Sequence, residues 1–326
     1  METEDIYVGV AGLGLMGCSI TACLLMAGHP VIAVAPVPED MQHAFKRIST
    51  HLKRSFDEGL TLKHPDDLLQ ALVITEDFEL LQPCSLVIES TIENLEIKKE
   101  VYGKIEQVIG TACLLVSNTS AIPISVLQKL TLHPARFFGL HWAEPSHTTR
   151  FLEVICGDLS ELKMGEYLYR LSHKWGKEPI LVRKDIRGFI TNRLMYAMFR
   201  EAFYLVENGY ATVEDVDRSC RNNAGYYMTF VGIFRWMDLT GVPAYHNVMK
   251  DLFPDLNNST TVPKLIENIV NEGGKGIANA KGFYDYTPEE AKLWEETFAD
   301  FSYQIRELAL KYPEDLIKKK LAEGGK

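Results

Sequence analysis

The 326-residue sequence predicts an α/β domain built on a doubly wound parallel sheet, followed by an all-α domain. Three observations carry this. Short β-branched apolar runs alternate with longer helical stretches from residue 6 to about 184, the rhythm of a sheet covered by helices on both faces. A glycine-rich turn joins the first run to the first helix. From about Ile186 the apolar spacing becomes helical, and no strand series follows. The expected division is therefore 1–184 for a Rossmann-type α/β domain and 185–326 for an all-helical domain. The length suits two domains of about 100–200 residues each.

Taken in order, Ile6–Val10, Val31–Val34, Leu86–Ile88 and Leu114–Val116 read as strands. They are apolar without alternation, as strands covered on both faces require. A helix from about Leu95 to Ile109 is closed by Gly110. In the second part, residues 188–208 carry a wide apolar stripe (Ile190, Leu194, Ala197, Met198, Leu205) that Gly209 ends. Thr212 and Asp215 mark a capped helix start. Thr287-Pro288-Glu289-Glu290 marks another, with Pro at the first helical position and Glu three residues after the cap. After Pro313 the tail, with Lys318, Lys319 and Lys320, reads as a solvated, frayed end.

Composition narrows the function classes. With 46% hydrophobic and 24% charged residues, the chain is an ordinary folded protein rather than a disordered one. Its 34 basic and 44 acidic residues leave a net charge of −10, whereas a nucleic-acid surface needs a basic excess. No apolar run approaches the roughly 18 residues of a membrane span. The acidic start, Met1–Asp5, is unlike a secretory signal. The six cysteines (Cys18, Cys23, Cys84, Cys113, Cys156, Cys220) lack any C-x-x-C pair, so they read as reduced thiols with no metal site, in a cytoplasmic protein.

The first strand runs into Gly12-Leu13-Gly14-Leu15-Met16-Gly17 and then an apolar helix, the context a dinucleotide fingerprint needs. Gly12 permits the tight turn, Gly14 lets a pyrophosphate approach the backbone, and Gly17 lets helix and strand pack closely. The N–H groups around Leu15 and Met16 then face the phosphates. An acid about 20 residues on should bind the ribose, but Val31–Val34 runs into Ala35-Pro36. Glu39 and Asp40 follow, and no Lys or Arg comes before Lys46. These acids would repel a 2′-phosphate, so NAD is expected over NADP.

Several further blocks occur in order: Glu89 to Lys98, Ser117-Asn118-Thr119-Ser120, Gly139-Leu140-His141-Trp142, Leu152-Glu153-Val154-Ile155, Gly188 to Arg193, and a late Lys281 to Tyr286. With the glycine fingerprint, this ordered set resembles the 3-hydroxyacyl-CoA dehydrogenase family over nearly the whole chain. The resemblance implies a hydride transfer between NAD and the 3-hydroxy group of an L-3-hydroxyacyl-CoA, such as 3-hydroxybutyryl-CoA, or of a related small hydroxy acid. It implies His141 as the base and Glu153 as its carboxylate partner, roles that suit imidazole chemistry near neutrality. Ser117 and Asn192 match polar groups beside the reacting carbon, and Glu93 and Lys98 match contacts to the cofactor. A homodimer formed through the helical domains is implied on the same ground. Taken alone, His141 reads as a core histidine and Glu153 as a strand-edge charge.

The chain also departs from the family pattern. His-Phe-Phe-Asn-Pro is replaced by His141-Trp142-Ala143-Glu144-Pro145, and a charged Glu144 close to His141 would raise the histidine's pKa. Gly232-Ile233-Phe234 stands where Gly-Pro-Phe is common. Arg150 fits either a substrate carboxylate clamp or a surface position. The basic residues Lys46, Arg47, His51, Lys53, Arg54 and Lys63 fit either CoA phosphates or a solvated helix face. Ala35 and Glu144 together keep open a second reading, a catalytically silent nucleotide-binding or structural protein on the same fold.

Overall fold

The computed structural model describes residues 6–313 and 315–322; the acidic Met1–Asp5 segment lies outside them. The chain divides after Asn192 into two units. In the first, eight strands form one sheet: β1 (Val8–Ala11), β2 (Val31–Val34), β3 (Leu72–Thr75), β4 (Leu86–Glu89), β5 (Leu114–Ser117), β6 (Phe137–Trp142), β7 (Leu152–Cys156) and β8 (Ile180–Val182). Their order is β3-β2-β1-β4-β5-β6-β7-β8. The order reverses between β1 and β4, which opens a crevice at the strand C-termini there.

The sheet is parallel from β3 to β6, but β7 pairs antiparallel with β6, and β8 follows β7. The one antiparallel pair in this otherwise parallel sheet has a physical reason. The Ala143–Phe151 connection is too short for a crossover, which takes about a dozen residues or more, so the chain must double back.

Strand alternation sends side chains into two apolar clusters. Val8, Val10, Leu86, Ile88, Leu114 and Val116 enter one; Ala11, Val87 and Leu115 enter the other. The first is covered by α1 (Leu15–Met26), α2 (Pro38–Asp57) and α6 (Leu162–Lys174). The second takes α4 (Leu95–Val108) and the short α5 (Ile124–Leu127), while α3 (Pro65–Leu69) adds Leu68 to the first. On α2, Ala44, Ile48 and Leu52 are buried at a spacing of four, whereas Lys46 and Lys53 are exposed and Lys53 pairs with Asp57 at 2.7 Å. Those lysines belong to a solvated face.

At the C-terminal end of β4 sits a fully buried carboxylate, Glu89. It accepts from Lys98 Nζ at 2.8 and 3.0 Å, Tyr102 OH at 2.9 Å, Ser117 Oγ at 2.6 Å, and Thr91 N at 2.7 Å. Burying an ion pair is costly, and only such complete satisfaction makes it tolerable.

The expected boundary at 184 and the structural division differ because residues 185–192 are anchored in the first unit. Asp185 accepts from Ser125 N at 2.7 Å, and Phe189 is fully buried. The chain continues through α7 (Thr191–Glu207) into the second unit. There follow α8 (Val213–Ser219), a π turn at Cys220–Ala224, α9 (Gly225–Met228), α10 (Ile233–Thr240), α11 (Val242–Leu252), α12 (Lys264–Asn271), α13 (Pro288–Lys311) and α14 (Leu316–Ala322). Thr212 caps α8, and Thr287 with Glu290 forms a reciprocal box on α13. Among the described residues only isolated bridges around Lys281 are extended here. The lysine tail, expected to fray, is helical; Lys319 pairs with Asp315 one turn back at 3.0 Å.

Replacing Lys98 by Met keeps the volume but leaves Glu89 a buried, unpaired anion. Lys98→Met should cost about 3–5 kcal/mol of stability in urea unfolding; a loss below about 1 kcal/mol would show that the pair is not what holds the β4 end.

Candidate active site

The glycine turn divides its work among three residues. Gly12 has φ of +104°, and a Cβ there would lie 2.5 Å from Ser90 O; a Cβ on Gly17 would lie 1.8 Å from Gly12 O. Neither position tolerates a side chain. A Cβ on Gly14 meets nothing within 4 Å, so this residue opens the turn to the outside. Gly14 caps α1 with no side-chain bond, and the first turn holds no acid. The helix start thus keeps its N–H groups and positive dipole end for an anion, as a pyrophosphate needs. Leu15 is exposed and Met16 half-buried at the rim. Ala35 is buried at the end of β2, with Glu39 exposed beyond it.

The antiparallel register sets His141 of β6 directly opposite Glu153 of β7. Glu153 is fully buried and its Oε2 lies 2.9 Å from His141 Nδ1. The other oxygen, Oε1, accepts from Ile190 N and Thr191 N, each at 3.0 Å. One carboxylate therefore fixes the imidazole and the first turn of α7 together. An ionised carboxylate accepts only, so Nδ1 carries the proton and Nε2 is left for a substrate hydroxyl. Phe189 packs against the His141 ring at 5.6 Å between centroids and holds φ of +51°, a left-handed conformation rare outside glycine. Such strain persists only where surroundings over-determine it, here the two Glu153 bonds that follow.

The polar residues expected beside the reacting carbon are placed differently from one another. Ser117 is fully buried and gives its only hydroxyl proton to Glu89, so it has none for a substrate oxygen. That expectation gives way to a structural role. Three residues on, Ser120 is exposed, and its carbonyl accepts from Asn192 Nδ2 at 2.7 Å. Ser120 was not singled out by the sequence reading, although it lies in the same Ser-Asn-Thr-Ser block. Asn118 was also missed: its Nδ2 donates to Ser90 Oγ at 3.2 Å and its Oδ1 accepts from Trp142 N at 3.1 Å, tying β6 to the glycine turn's neighbour.

Glu93 holds the loop that carries Ser120. It accepts from Thr119 Oγ1, from Ser120 N at 3.1 Å and from Ala121 N at 3.2 Å. Burial disfavours its charge, but the Thr119 hydroxyl, the Lys98 ammonium and these two N–H groups outweigh that and keep its pKa below the usual range. Lys98 has no exposed surface and lies between Glu89 and Glu93. In place of the expected cofactor contact, it braces the two carboxylates. Arg150 pairs with Glu178 at 3.2 Å, and Glu178 N donates to Arg150 O at 2.8 Å, which commits this residue to the β7–β8 side.

Glu144 lies in a pocket of its own loop. Its surroundings are Ser19 of α1, the Ser146 N–H and Lys177. Burial pushes its pKa up to about 7 against the pull of those three groups, and its Oε2 is buried without a bonding partner. The loop it belongs to is clamped: Ser146 N donates to Ser19 Oγ at 2.8 Å, and Lys177 donates to Ser146 O and Thr149 O over the Trp142 ring. Among the described residues, no group of three or more His, Cys, Asp or Glu side chains could hold a metal ion. Cys18, Cys23, Cys84, Cys113 and Cys156 are buried free thiols, and Cys220 is exposed.

Comparison with known proteins gives a consistent picture. A family described as "3-hydroxyacyl-CoA dehydrogenase, NAD binding domain" matches residues 7–186, and its "C-terminal domain" matches residues 188–286. The chain is 32% identical over 286 residues to the 5-formyl-3-hydroxy-2-methylpyridine 4-carboxylate 5-dehydrogenase of Mesorhizobium japonicum, covering 87% of this chain and 92% of that protein. It is 30% identical to the mitochondrial hydroxyacyl-coenzyme A dehydrogenase of Homo sapiens, over 86% of this chain and 91% of that one. A crystal structure of a dehydrogenase for the same pyridine carboxylic acid, an NAD+-dependent dismutase, superimposes with a TM-score of 0.89 at 30% identity, covering 95% of this chain and all of that one. The (S)-3-hydroxybutyryl-CoA dehydrogenase of Ralstonia eutropha gives 0.72 at 25% identity, over 87% of this chain and 100% of that one.

Two outcomes follow from this geometry. Glu153→Gln should lower kcat about 1,000-fold or more, because the amide no longer fixes the Nδ1–H tautomer. Ser117→Ala should change kcat by less than about 3-fold while costing about 1 kcal/mol in urea unfolding; the opposite ranking would return Ser117 to the reacting centre. A second test concerns Glu144. A raised pKa means the folded state holds the proton more tightly, so its contribution is full below pH 4.5 and is lost as pH rises through about 7. Glu144→Gln should match the wild type near about pH 4 and melt higher at about pH 8. Parallel melting curves at both values would contradict its burial as an acid.

Proposed function

Because the chain belongs to the 3-hydroxyacyl-CoA dehydrogenase family, we propose that it oxidises the hydroxyl-bearing carbon of a small free hydroxy acid with NAD, using His141 as base. That it is an NAD-dependent oxidoreductase follows from the family and from the buried His141–Glu153 pair, and the silent reading falls with it. The dyad is the observation that carries the mechanism. When bound, NAD supplies the hydride acceptor. His141 Nε2 takes the hydroxyl proton, and Glu153 stabilises the imidazolium that forms through its Nδ1–H bond. Asn192 and Ser120 line the approach and offer polar groups to the substrate oxygen. Gly12, Gly14 and Gly17 with the N–H groups of Leu15 and Met16 hold the pyrophosphate. Glu93, braced by Lys98, sets the Ser120 loop against it.

The choice of a free acid rests on likeness to the pyridine-carboxylate dehydrogenase, which extends over more of the chain than likeness to the hydroxybutyryl-CoA enzyme. A second reading, an L-3-hydroxyacyl-CoA substrate, is favoured by the human relative. The chain works as a homodimer in the cytoplasm. Support for pairing comes from the second unit, where no described residue of α7 to α12 is buried, and large apolar side chains such as Phe199, Tyr226 and Phe234 are exposed. No described helix is long and apolar enough to cross a membrane.

A panel of free hydroxy acids and acyl-CoA esters, followed as NADH at about 340 nm, tests the reading. The free acids should turn over with kcat/KM at least about 10-fold above the esters; the reverse order would establish the CoA reading. NADP should bind at least about 10-fold more weakly than NAD, since Glu39 and Asp40 repel a 2′-phosphate. Equal binding would remove that argument.

A further inference from the structure

Behind the glycine turn, the second turn of α1 meets the loop that leaves β6. The node of this contact is Ser19, which has no exposed surface. Its Oγ accepts from Ser146 N at 2.8 Å and lies 3.0 Å from His147 Nδ1. Glu144 faces the same hydroxyl, together with the Ser146 N–H and Lys177. Ser19 has one hydroxyl hydrogen, so it cannot donate to Glu144 and His147 at once. When Glu144 is ionised it takes that hydrogen, and His147 donates from Nδ1. When Glu144 is protonated it donates to Ser19, and the Ser19 hydrogen turns to His147 Nδ1. Both states satisfy the node, so the network can hold a proton or give it up without leaving Ser19 unpaired.

We propose that Glu144 makes NAD binding proton-linked: the dinucleotide binds more tightly when Glu144 is protonated than when it is ionised. This deepens the NAD reading above and rests on it. Three observations support it. Ser19 lies about 6 Å along α1 from Leu15, at the helix start that takes the pyrophosphate. Cys18, next to Ser19, lies within reach of the Glu144 charge and donates to Leu13 O of the glycine turn at 3.2 Å. An anion at this place opposes the negative charge that the helix start is built to accept. Finally, Glu144 Oε2 is buried with no donor, which leaves the ionised form poorly served. Burial holds this carboxyl's pKa at about 7, so both forms are populated near neutrality.

The other groups around the network are of three kinds. Lys177 donates to Ser146 O and Thr149 O, and Arg47 and Asp40 of α2 act on Cys18. The Cys18 thiol is pushed by burial up to about 11. His51 of α2, with its ring 4.4 Å from that of His147, is held below the usual histidine range by burial and by Arg47 and Arg54. None of these gains or loses a proton as pH rises through about 7. His147 remains, and replacing Glu144 separates the two.

Isothermal titration calorimetry of NAD into the full chain tests the proposal without turnover. The pyrophosphate charge makes the bound state hold the Glu144 proton more tightly, so affinity is highest at low pH and falls as pH rises through about 7. The NAD dissociation constant should rise about 4-fold between about pH 6 and about pH 8.5. At about pH 7.3, titrations in HEPES and in Tris should differ in enthalpy by the uptake of about 0.4 proton per NAD. Glu144→Gln should show neither effect. Ser19→Ala removes a donor from the ionised carboxyl, so its binding profile should break at higher pH than the wild type. A flat wild-type profile, a slope retained in Glu144→Gln, or a Ser19→Ala profile that breaks at the same or lower pH would overturn the linkage and leave NAD as the cofactor. No NAD binding at any pH would overturn the cofactor reading with it.

Discussion

A carboxylate with no solvent contact is tolerated only when both oxygens find donors. Glu153 meets that constraint with His141 Nδ1–H on one oxygen and the Ile190 and Thr191 N–H groups on the other. Much of the first unit is arranged around it. The β6–β7 return must be antiparallel for His141 and Glu153 to face each other. The Gly188–Phe189 turn must adopt its left-handed backbone for two successive N–H groups to converge on one oxygen. The start of α7 contributes the positive end of its dipole to the same anion. A single side chain thus sets the tautomer of the base and the point where the chain leaves the sheet.

Glu89 and Glu93 form a second tier with the same logic and a different purpose. Glu89 gathers Lys98, Tyr102, Ser117 and Thr91 at the ends of β4 and β5, where the strand order reverses. Glu93 shares Lys98 and holds the Thr119–Ala121 backbone. Neither carboxylate needs to touch a ligand to matter. Together they rigidify the crevice floor, so that Ser120 and Asn192 meet in a fixed geometry.

Much of this was legible in the sequence, for reasons that differ by residue. The glycine turn announces itself because three separate steric demands fall at fixed spacing. The strands β1, β2, β4 and β5 are continuous apolar runs, and the caps at Thr212 and Thr287 carry their chemistry locally. His141 and Glu153 were found through the ordered blocks, since neither stands out alone. What escaped depends on contacts between distant segments. Ser117 and Ser120 are the same residue type three positions apart, and only the β4–β5 register shows that the first points at Glu89. Lys98 looks like an ordinary helix-surface lysine until Glu89 is known to lie beneath it. The strand β3 carries the same three-residue apolar run as β4 but is only partly buried, and β7 breaks its apolar residues with Glu153. The tail helix α14 hides behind a run of lysines that suggests solvent rather than structure.

The donors around Glu89 and Glu153 also settle the traffic of protons. Lys98, Tyr102, Ser117 and Thr91 all direct hydrogens at one carboxylate, and the His141 Nδ1 hydrogen is fixed on another. With Nδ1 held by Glu153, the imidazole keeps one edge, Nε2, to exchange a proton. In the oxidation proposed above, the proton taken from the substrate would therefore rest on the side of the ring that faces the substrate, and it would have to leave by that edge before the next turnover.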